Sequence, residues 1–167
     1  MNKINNTKDS IDWFKFFYGI GVPTNREKAK EICLEGSLKG SKVCEAIQYF
    51  YGWGVKNNEK KAFEMLEEII KKDVLFEQKD IDICYHHLAL SYQYGFGVEH
   101  NINKAIKFYK QSAELGNSRA MKTLAFIFEF GYGIEKDTNK ATELYKKAEE
   151  LEIKNQEKSC EKLKNML

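Results

Sequence analysis

The stretch Tyr94-Gly95-Phe96-Gly97-Val98 decides the fold, because it occurs in related form four times along the chain. The other copies are Tyr18-Gly19-Ile20-Gly21-Val22, Tyr51-Gly52-Trp53-Gly54-Val55 and Phe130-Gly131-Tyr132-Gly133-Ile134. Each copy is followed at the same distance by a Lys-Ala pair, at 28–29, 61–62, 104–105 and 140–141. The first glycines of successive copies are 33, 43 and 36 residues apart. A period of this size is typical of a solenoid built from repeated supersecondary units.

Local signals divide each unit into two helices. β-branched residues neither cluster nor alternate, so strands have little support and the predicted fold class is all-α. The first helix of each unit, helix A, is predicted to end at the glycine pair, where at least one glycine takes a positive φ. The second, helix B, is predicted to begin at a polar residue whose side chain accepts hydrogen bonds from the first-turn amides. These capping residues are Asn25, Asn58, Asn101 and Asp137.

The spacing of the copies predicts one solenoid domain over residues 1–167, with repeat loops at 18–22, 51–55, 94–98 and 130–134. The longer interval between the second and third copies places an insert at about 72–82, either as an extended loop or as a lengthened helix. A one-sided apolar stripe over about 153–167 predicts a C-terminal capping helix. Solenoids need such polar-backed ends to stay in solution.

Composition argues against several classes of partner. The 27 basic and 25 acidic residues are mixed along the chain, so no long-range field favours nucleic acid or an anionic membrane. The N-terminus lacks the apolar run of a secretory signal, and no segment approaches the roughly 18 apolar residues of a membrane span. A disulfide framework or a zinc site has regularly spaced cysteines. Cys33, Cys44, Cys84 and Cys160 lack such spacing. We therefore expect a soluble protein of the cytoplasm.

The candidate chemical motifs are weak. Ser159-Cys160-Glu161-Lys162 matches the Ser-x-x-Lys string of penicillin-binding enzymes, but its Ser-Asp-Asn and Lys-Thr-Gly companions are absent. Cys84, His86 and His87 are crowded, yet adjacent residues on a helix point in different directions and do not chelate one ion easily. Cys84 is expected to be a buried thiol. We therefore predict no catalytic residue, no metal site and no cofactor.

The most regular part of the chain carries a resemblance to a known family. From Ala120 to Ala148 it reads Ala-x3-Leu-Ala-x2-Phe-x2-Gly-x-Gly-Ile-x2-Asp-x2-Lys-Ala-x2-Leu-Tyr-x2-Ala. This pattern resembles the Sel-like repeats (SLR), relatives of the tetratricopeptide repeats, over about residues 12–152. The resemblance implies a right-handed α-solenoid of about four antiparallel helix pairs plus the capping helix, with the A helices lining a concave face. It also implies a non-enzymatic adaptor in protein assemblies.

A partner on that concave face would meet the A-helix side chains that do not serve the core of their own unit. Counted from the glycines, the side chains assigned to this face are Phe14, Phe17, Ile47, Phe50, His86, Leu90, Gln93, Lys122, Phe126 and Glu129. Several are large and apolar, which predicts a trough from Phe14 to Phe126 able to receive a helix or an extended peptide. The alternative is that most of them pack on neighbouring A helices.

Three functions follow from the resemblance. The leading hypothesis is a protein–protein interaction module, as a monomer or weak homodimer, that binds a protein or peptide on the A-helix face. The alternative is an immunity protein that sequesters a bacterial toxin. A remote alternative is an enzyme acting on β-lactams, because a secreted, disulfide-bridged branch of the family has been linked to β-lactam binding. The present cysteines lack the regular pairing of that branch.

Overall fold

The computed structural model describes residues 12–72 and 78–164, and the secondary structure in these ranges is entirely α-helical. The helices are α1 (Asp12–Tyr18), α2 (Arg26–Leu38), α3 (Lys42–Tyr51), α4 (Glu59–Lys71), α5 (Gln78–Tyr94), α6 (Ile102–Glu114), α7 (Ser118–Phe130) and α8 (Thr138–Lys164). Each helix packs on the next along the chain, from α1 on α2 to α7 on α8. The odd-numbered helices are the A helices and the even-numbered ones the B helices of four units. The all-α solenoid predicted from the sequence is confirmed.

The B helices begin where the polar caps predicted them to begin. In each unit the Oδ1 atom of the capping residue accepts a hydrogen bond of 2.9–3.0 Å from the amide three residues later. Each bond satisfies one of the exposed donors of the first turn. The four bonded pairs are Asn25 with Lys28, Asn58 with Lys61, Asn101 with Lys104, and Asp137 with Lys140.

The glycine pairs are left-handed throughout, with φ between 69° and 75° at both positions of every copy. The first glycine ends helix A; at Gly131, for example, the amide donates to the carbonyl of Ile127 over 2.9 Å. The second glycine has a different role, because in the second, third and fourth copies the B helix of the preceding unit passes directly over it. At Gly97 a side chain would collide with the backbone of Glu59 and Lys60 at the start of α4. One glycine therefore stops a helix and the other lets two units approach.

The repeated alanine of each Lys-Ala pair lies at the centre of the helix packing. Ala29, Ala62, Ala105 and Ala141 are all buried, as is the thiol of Cys84 that the sequence assigned to the core. A methyl side chain at this point lets helix B approach helix A closely. The repetition of the Lys-Ala pair thus has a packing cause.

The two irregular segments are only partly as expected. Residues 73–77 lie outside the described residues, but α5 begins at Gln78 and runs for 17 residues, four more than α7, so the C-terminal part of the insert is helical. The capping helix expected over about 153–167 is not a separate element. It is the C-terminal part of α8, which continues unbroken for 27 residues from Thr138 to Lys164; residues 165–167 lie outside the described part. Across 12–72 and 78–164, no helix combines the length and apolarity needed to cross a membrane.

Candidate functional site: the A-helix face and the aromatic surface of the fourth unit

Four of the side chains assigned to the partner-binding face are core residues. Phe14, Ile47, Phe50 and His86 are each at most 7% exposed. The cause is the curvature of the solenoid, which brings α5 onto the A helices of the first two units. The ring of Phe14 lies 5.7 Å from that of His86, and the ring of Phe50 lies 5.2 Å from that of His87. The prediction of an open apolar trough is therefore wrong for the first two units.

Phe17, Leu90 and Gln93 are half-buried and already in contact with neighbours. The ring of Phe17 packs 5.0 Å from Tyr51 and 5.6 Å from Trp53. The side-chain oxygen of Gln93 accepts a hydrogen bond of 2.5 Å from the hydroxyl of Tyr109. Phe17 therefore contributes to the packing between the first and second units, and Gln93 joins α5 to α6 within the third.

The three assigned residues on α7 are accessible. Phe126 is exposed, while Lys122 and Glu129 are half-buried on the same helix. The Lys122 ammonium group lies 2.7 Å from the carboxylate of Glu152 on α8. The Glu129 carboxylate accepts a hydrogen bond of 3.1 Å from the Tyr145 hydroxyl, also on α8. Lys122, Phe126 and Glu129 are therefore the part of the predicted partner-binding face that remains accessible on α7.

Phe126 belongs to a cluster of three exposed rings that we call the aromatic surface: Phe126, Phe130 and Tyr132. The three side chains are 46%, 56% and 53% exposed. Their ring centroids lie 4.6 Å apart for Phe126 and Phe130, 5.7 Å for Phe126 and Tyr132, and 6.1 Å for Phe130 and Tyr132. Scattered exposed apolar residues are ordinary, whereas a contiguous group marks an interaction surface.

The first two units show what covers these positions there, whereas in the third unit the equivalent Tyr94 is itself 59% exposed. Their equivalents are Phe14, Tyr18 and Ile20 in the first unit, and Ile47, Tyr51 and Trp53 in the second, and all six are buried or half-buried. Side chains of A helices cover them: His86 of α5 lies 5.5 Å from the Tyr18 ring, and His87 lies 5.9 Å from the Tyr51 ring. No further unit follows the fourth within residues 12–72 and 78–164. The same three positions are therefore open at α7.

A second cluster, which the sequence did not indicate, joins the first three A helices. His87 donates from Nδ1 to the carbonyl of Ile83 over 2.9 Å, so its Nε2 is an acceptor and accepts a hydrogen bond of 3.2 Å from the Tyr51 hydroxyl. The Tyr51 oxygen accepts in turn from the Tyr18 hydroxyl over 3.2 Å, and Tyr18 accepts from Nε2 of His86 over 3.4 Å. The chain of donors thus has one direction. It links α1, α3 and α5.

The electrostatics of this cluster keep all four side chains neutral at pH 7. Burial raises the pKa of the Tyr18 hydroxyl and holds the pKa of Tyr51 well above its usual range. Burial also lowers the pKa of His87 to about 4 and holds the pKa of His86 well below its usual value, with the neighbouring His87 and Arg119 adding to the effect on His86. The four side chains hydrogen-bond to one another, but Nδ1 of His86 has no hydrogen-bond partner among the described residues. The arrangement holds α1, α3 and α5 together through neutral side chains.

Within the described residues, no group of three or more His, Cys, Asp or Glu side chains is placed to hold a metal ion. The side chains of Ser159, Cys160 and Lys162 lie outside the described ones.

Tyr18 and Tyr51 precede the first glycine of their loops, and their hydrogen bonds to the histidines depend on how the units curve. The repeat pattern could therefore reveal the loops but not this cluster.

The fold and the four repeated loops define a helical-repeat protein of the α-solenoid class. The Sel1 repeat model matches residues 16–41, 46–73, 83–117 and 118–152, well over half of the sequence, and the chain belongs to the Sel1 repeat family. Sel1 repeat proteins generally act as protein–protein interaction modules.

Two solved structures share the architecture. One is c5321, a protective antigen present in uropathogenic Escherichia coli strains and displaying an SLR fold, with 26% identity and a TM-score of 0.56 over 85% of this chain. The other is a Sel1 repeat protein from Oxalobacter formigenes, with 22% identity and a TM-score of 0.55 over 85% of this chain. The present chain spans 30% of the first and 55% of the second. A comparison with curated proteins found no match.

Proposed function

We propose that this chain is a non-catalytic protein-interaction module that binds a helical segment of another protein on the aromatic surface of its fourth unit. The observation that carries the proposal is the contiguous exposure of Phe126, Phe130 and Tyr132 at positions that are covered in the first two units. Large aromatic side chains contribute most of the binding energy at protein interfaces, because they bury much apolar area with little loss of side-chain entropy.

The repeat geometry supports a helix as the occupant. At the equivalent positions of the first two units, the covering residues His86 and His87 are on helix α5, so this face of an A helix is shaped to receive another helix. An amphipathic helix binds such a face through apolar residues at helical spacing. The expected partner segment is therefore a helix that presents aromatic or aliphatic side chains on one side.

An ion pair and a hydrogen bond on α7 border the aromatic surface and supply its polar rim. The Lys122–Glu152 ion pair and the Glu129–Tyr145 hydrogen bond both link α7 to α8. Partly exposed pairs of this kind contribute little to stability, so either carboxylate can exchange its contact for a basic side chain of the partner. These groups would set the orientation of the bound helix rather than its affinity.

The experiment compares affinity purifications from the source organism with three baits: the unchanged chain, Phe126→Asp/Phe130→Asp, and Leu38→Asp as the matched control. Leu38 is the most exposed large apolar residue of the described part, at 89%, and is the last residue of α2, whereas the aromatic surface belongs to α7 and the loop after it. We expect the double variant to lose its partner by at least about 30-fold in affinity, since a central aromatic anchor contributes about 2 kcal/mol or more. The Leu38 variant should retain it. Equal recovery by all three folded baits would reject the aromatic surface.

The identity of the retained protein decides between the two interaction hypotheses. A toxin that depends on Phe126 and Phe130 for recovery would support the immunity hypothesis, and the chain should then protect cells in which that toxin is expressed. A non-toxic partner with the same dependence would support a general adaptor. Self-association through this surface is detected separately, as a change in the solution mass of the unchanged chain that the double variant abolishes.

A further inference from the structure

A helix packs over the second glycine of each repeat loop, and the atoms nearest to that glycine identify the helix. At Gly54 the nearest atom is Cδ2 of Leu34 on α2, and at Gly97 it is the backbone of Glu59 on α4. At Gly133 the neighbour is Ile102, the first residue of α6. In all three cases the covering element is the B helix of the preceding unit.

Gly21 is covered as well, although no unit precedes the first within the described residues. A methyl group placed on Gly21 would lie 3.4 Å from the backbone nitrogen of Gln156 and 3.5 Å from the carbonyl carbon of Asn155. Both residues belong to α8. The helix that covers the first loop therefore comes from the fourth unit.

A separate contact shows that the first and fourth units meet. The guanidinium carbon of Arg119, in the first turn of α7, lies 5.3 Å from the centroid of the Tyr18 ring at the end of α1. A guanidinium at this distance from a tyrosine face is attracted by the ring. The curvature that buries Phe14 and Phe50 thus brings the two ends of the solenoid together.

The length of α8 fits this role. The other B helices have 13 residues each, whereas α8 has 27 and continues past residue 152, where the repeat match ends. The twelve residues from 153 to 164 extend the helix by about 18 Å. Between 153 and 158 only Asn155 is half-buried and the rest are exposed, so the contact is made by one face of the helix.

We propose that residues 153–158 of α8 take the place of a preceding B helix against the first repeat loop, and so close the solenoid on itself. The sequence predicts a capping segment here, and the structure assigns it to the opposite end of the repeat array. Closure caps the edge of the first unit in cis, with a segment of the same chain. It does not depend on the proposed binding role of the aromatic surface.

A cysteine pair tests this closure directly. In a Cys160→Ser background, Gly21→Cys and Gln156→Cys should form an intramolecular disulfide on mild oxidation, because a β-carbon on residue 21 would lie 3.4 Å from the backbone nitrogen and 3.6 Å from the Cγ atom of Gln156. The product is a monomer whose electrophoretic mobility changes on reduction. Gly40→Cys with Gln156→Cys is the control, since Gly40 also has a positive φ of 93° but has nothing within 4 Å. A disulfide-linked dimer, or no more bond than in the control, would overturn the proposal.

A second pair of variants avoids any change at Gly21. Asn155→Pro interrupts α8 at the contact, whereas Glu161→Pro interrupts the same helix beyond it. We expect Asn155→Pro to accelerate amide hydrogen exchange in residues 19–25 roughly tenfold or more, with residues 52–58 as the internal reference. The Glu161→Pro chain should exchange like the unchanged chain. Unaltered exchange at 19–25 in a folded Asn155→Pro chain would contradict closure.

Discussion

The hydroxyl of Tyr51 lies 3.2 Å from Nε2 of His87, and this hydrogen bond joins α3 to α5. It requires a neutral imidazole, because Nδ1 of His87 already donates to the carbonyl of Ile83 and only an unprotonated Nε2 can accept. Protonation would break the bond and place a positive charge in a fully enclosed site. The packing between the second and third units is therefore sensitive to acid.

The first prediction concerns stability against pH. The folded-state pKa of His87 is about 4 and its ordinary value is 6.5, so between these values the unfolded chain binds more protons and stability is lost as pH falls. We expect the free energy of unfolding to fall by about 2 kcal/mol between pH 7 and pH 5 on account of His87 alone. His86, whose pKa is also lowered, adds to the loss. Urea unfolding at pH 7, 6 and 5 measures it.

The control for this prediction is His87→Gln, which removes the titrating group and keeps a polar side chain. The variant should be less stable at pH 7 but lose about 2 kcal/mol less than the unchanged chain on going to pH 5. Parallel pH profiles for the two proteins would show that His87 is not the source of the acid sensitivity.

The features of this fold that arise from local interactions could be predicted from the sequence, and those that arise from contacts between distant units could not. The caps at Asn25 and Asp137 and the left-handed glycines were predictable, because they depend on hydrogen bonds and dihedral angles within a few residues. The exposure of the A-helix side chains was not. Phe14 and Phe126 stand at the same distance before their glycines, yet one is 5% and the other 46% exposed.

That difference arises from curvature, which accumulates over several units and leaves no local pattern. The histidines of α5 cover Phe14, and no side chain of a later unit in the described residues covers Phe126. The contact of α8 with Gly21 has the same origin: the apolar stripe after residue 152 predicted a cap but not the unit it would reach. Of the A-helix face predicted from the sequence to be open, the part on α1 and α3 is largely buried and the part around Phe126 is exposed.

The second prediction concerns the close approach of two units at Gly97. Gly97→Ala introduces a methyl group into the backbone at the start of α4, in addition to the strain of a positive φ of 72°. Gly116→Ala is the matched control, because it has a φ of 89° and open space around it. We expect the control to lose about 1–2 kcal/mol in unfolding free energy from the left-handed conformation, and Gly97→Ala to lose at least about 2 kcal/mol more. Similar losses for the two variants would mean that the approach of α4 is not tight.

The third prediction concerns Asn117, a buried cap with two functions. Its Oδ1 accepts a hydrogen bond of 3.0 Å from the Ala120 amide, and its Nδ2 donates to the Asp82 carboxylate over 2.7 Å, linking α5 to the start of α7. Asn101 caps α6 in the same way, but its side chain makes no second hydrogen bond within the described part of the chain. Asn117→Ala should therefore cost about 3 kcal/mol and Asn101→Ala about 1 kcal/mol in unfolding free energy. Thermal and urea unfolding of both variants measure these losses. Equal losses would show that the hydrogen bond from Asn117 to Asp82 does not stabilise the packing of α5 against α7.

The fourth prediction tests the central claim, that the aromatic surface of the fourth unit binds another protein. Replacing Tyr132 by the photoreactive residue p-benzoylphenylalanine leaves the chain otherwise intact and places the probe among Phe126 and Phe130. The matched control carries the same residue at Leu38, which is more exposed and lies on α2. Illumination in cells of the source organism should give a discrete cross-linked protein from position 132, lost when Phe126→Asp is added, and no such product from position 38. Identical products from both positions, or none from position 132, would contradict the account.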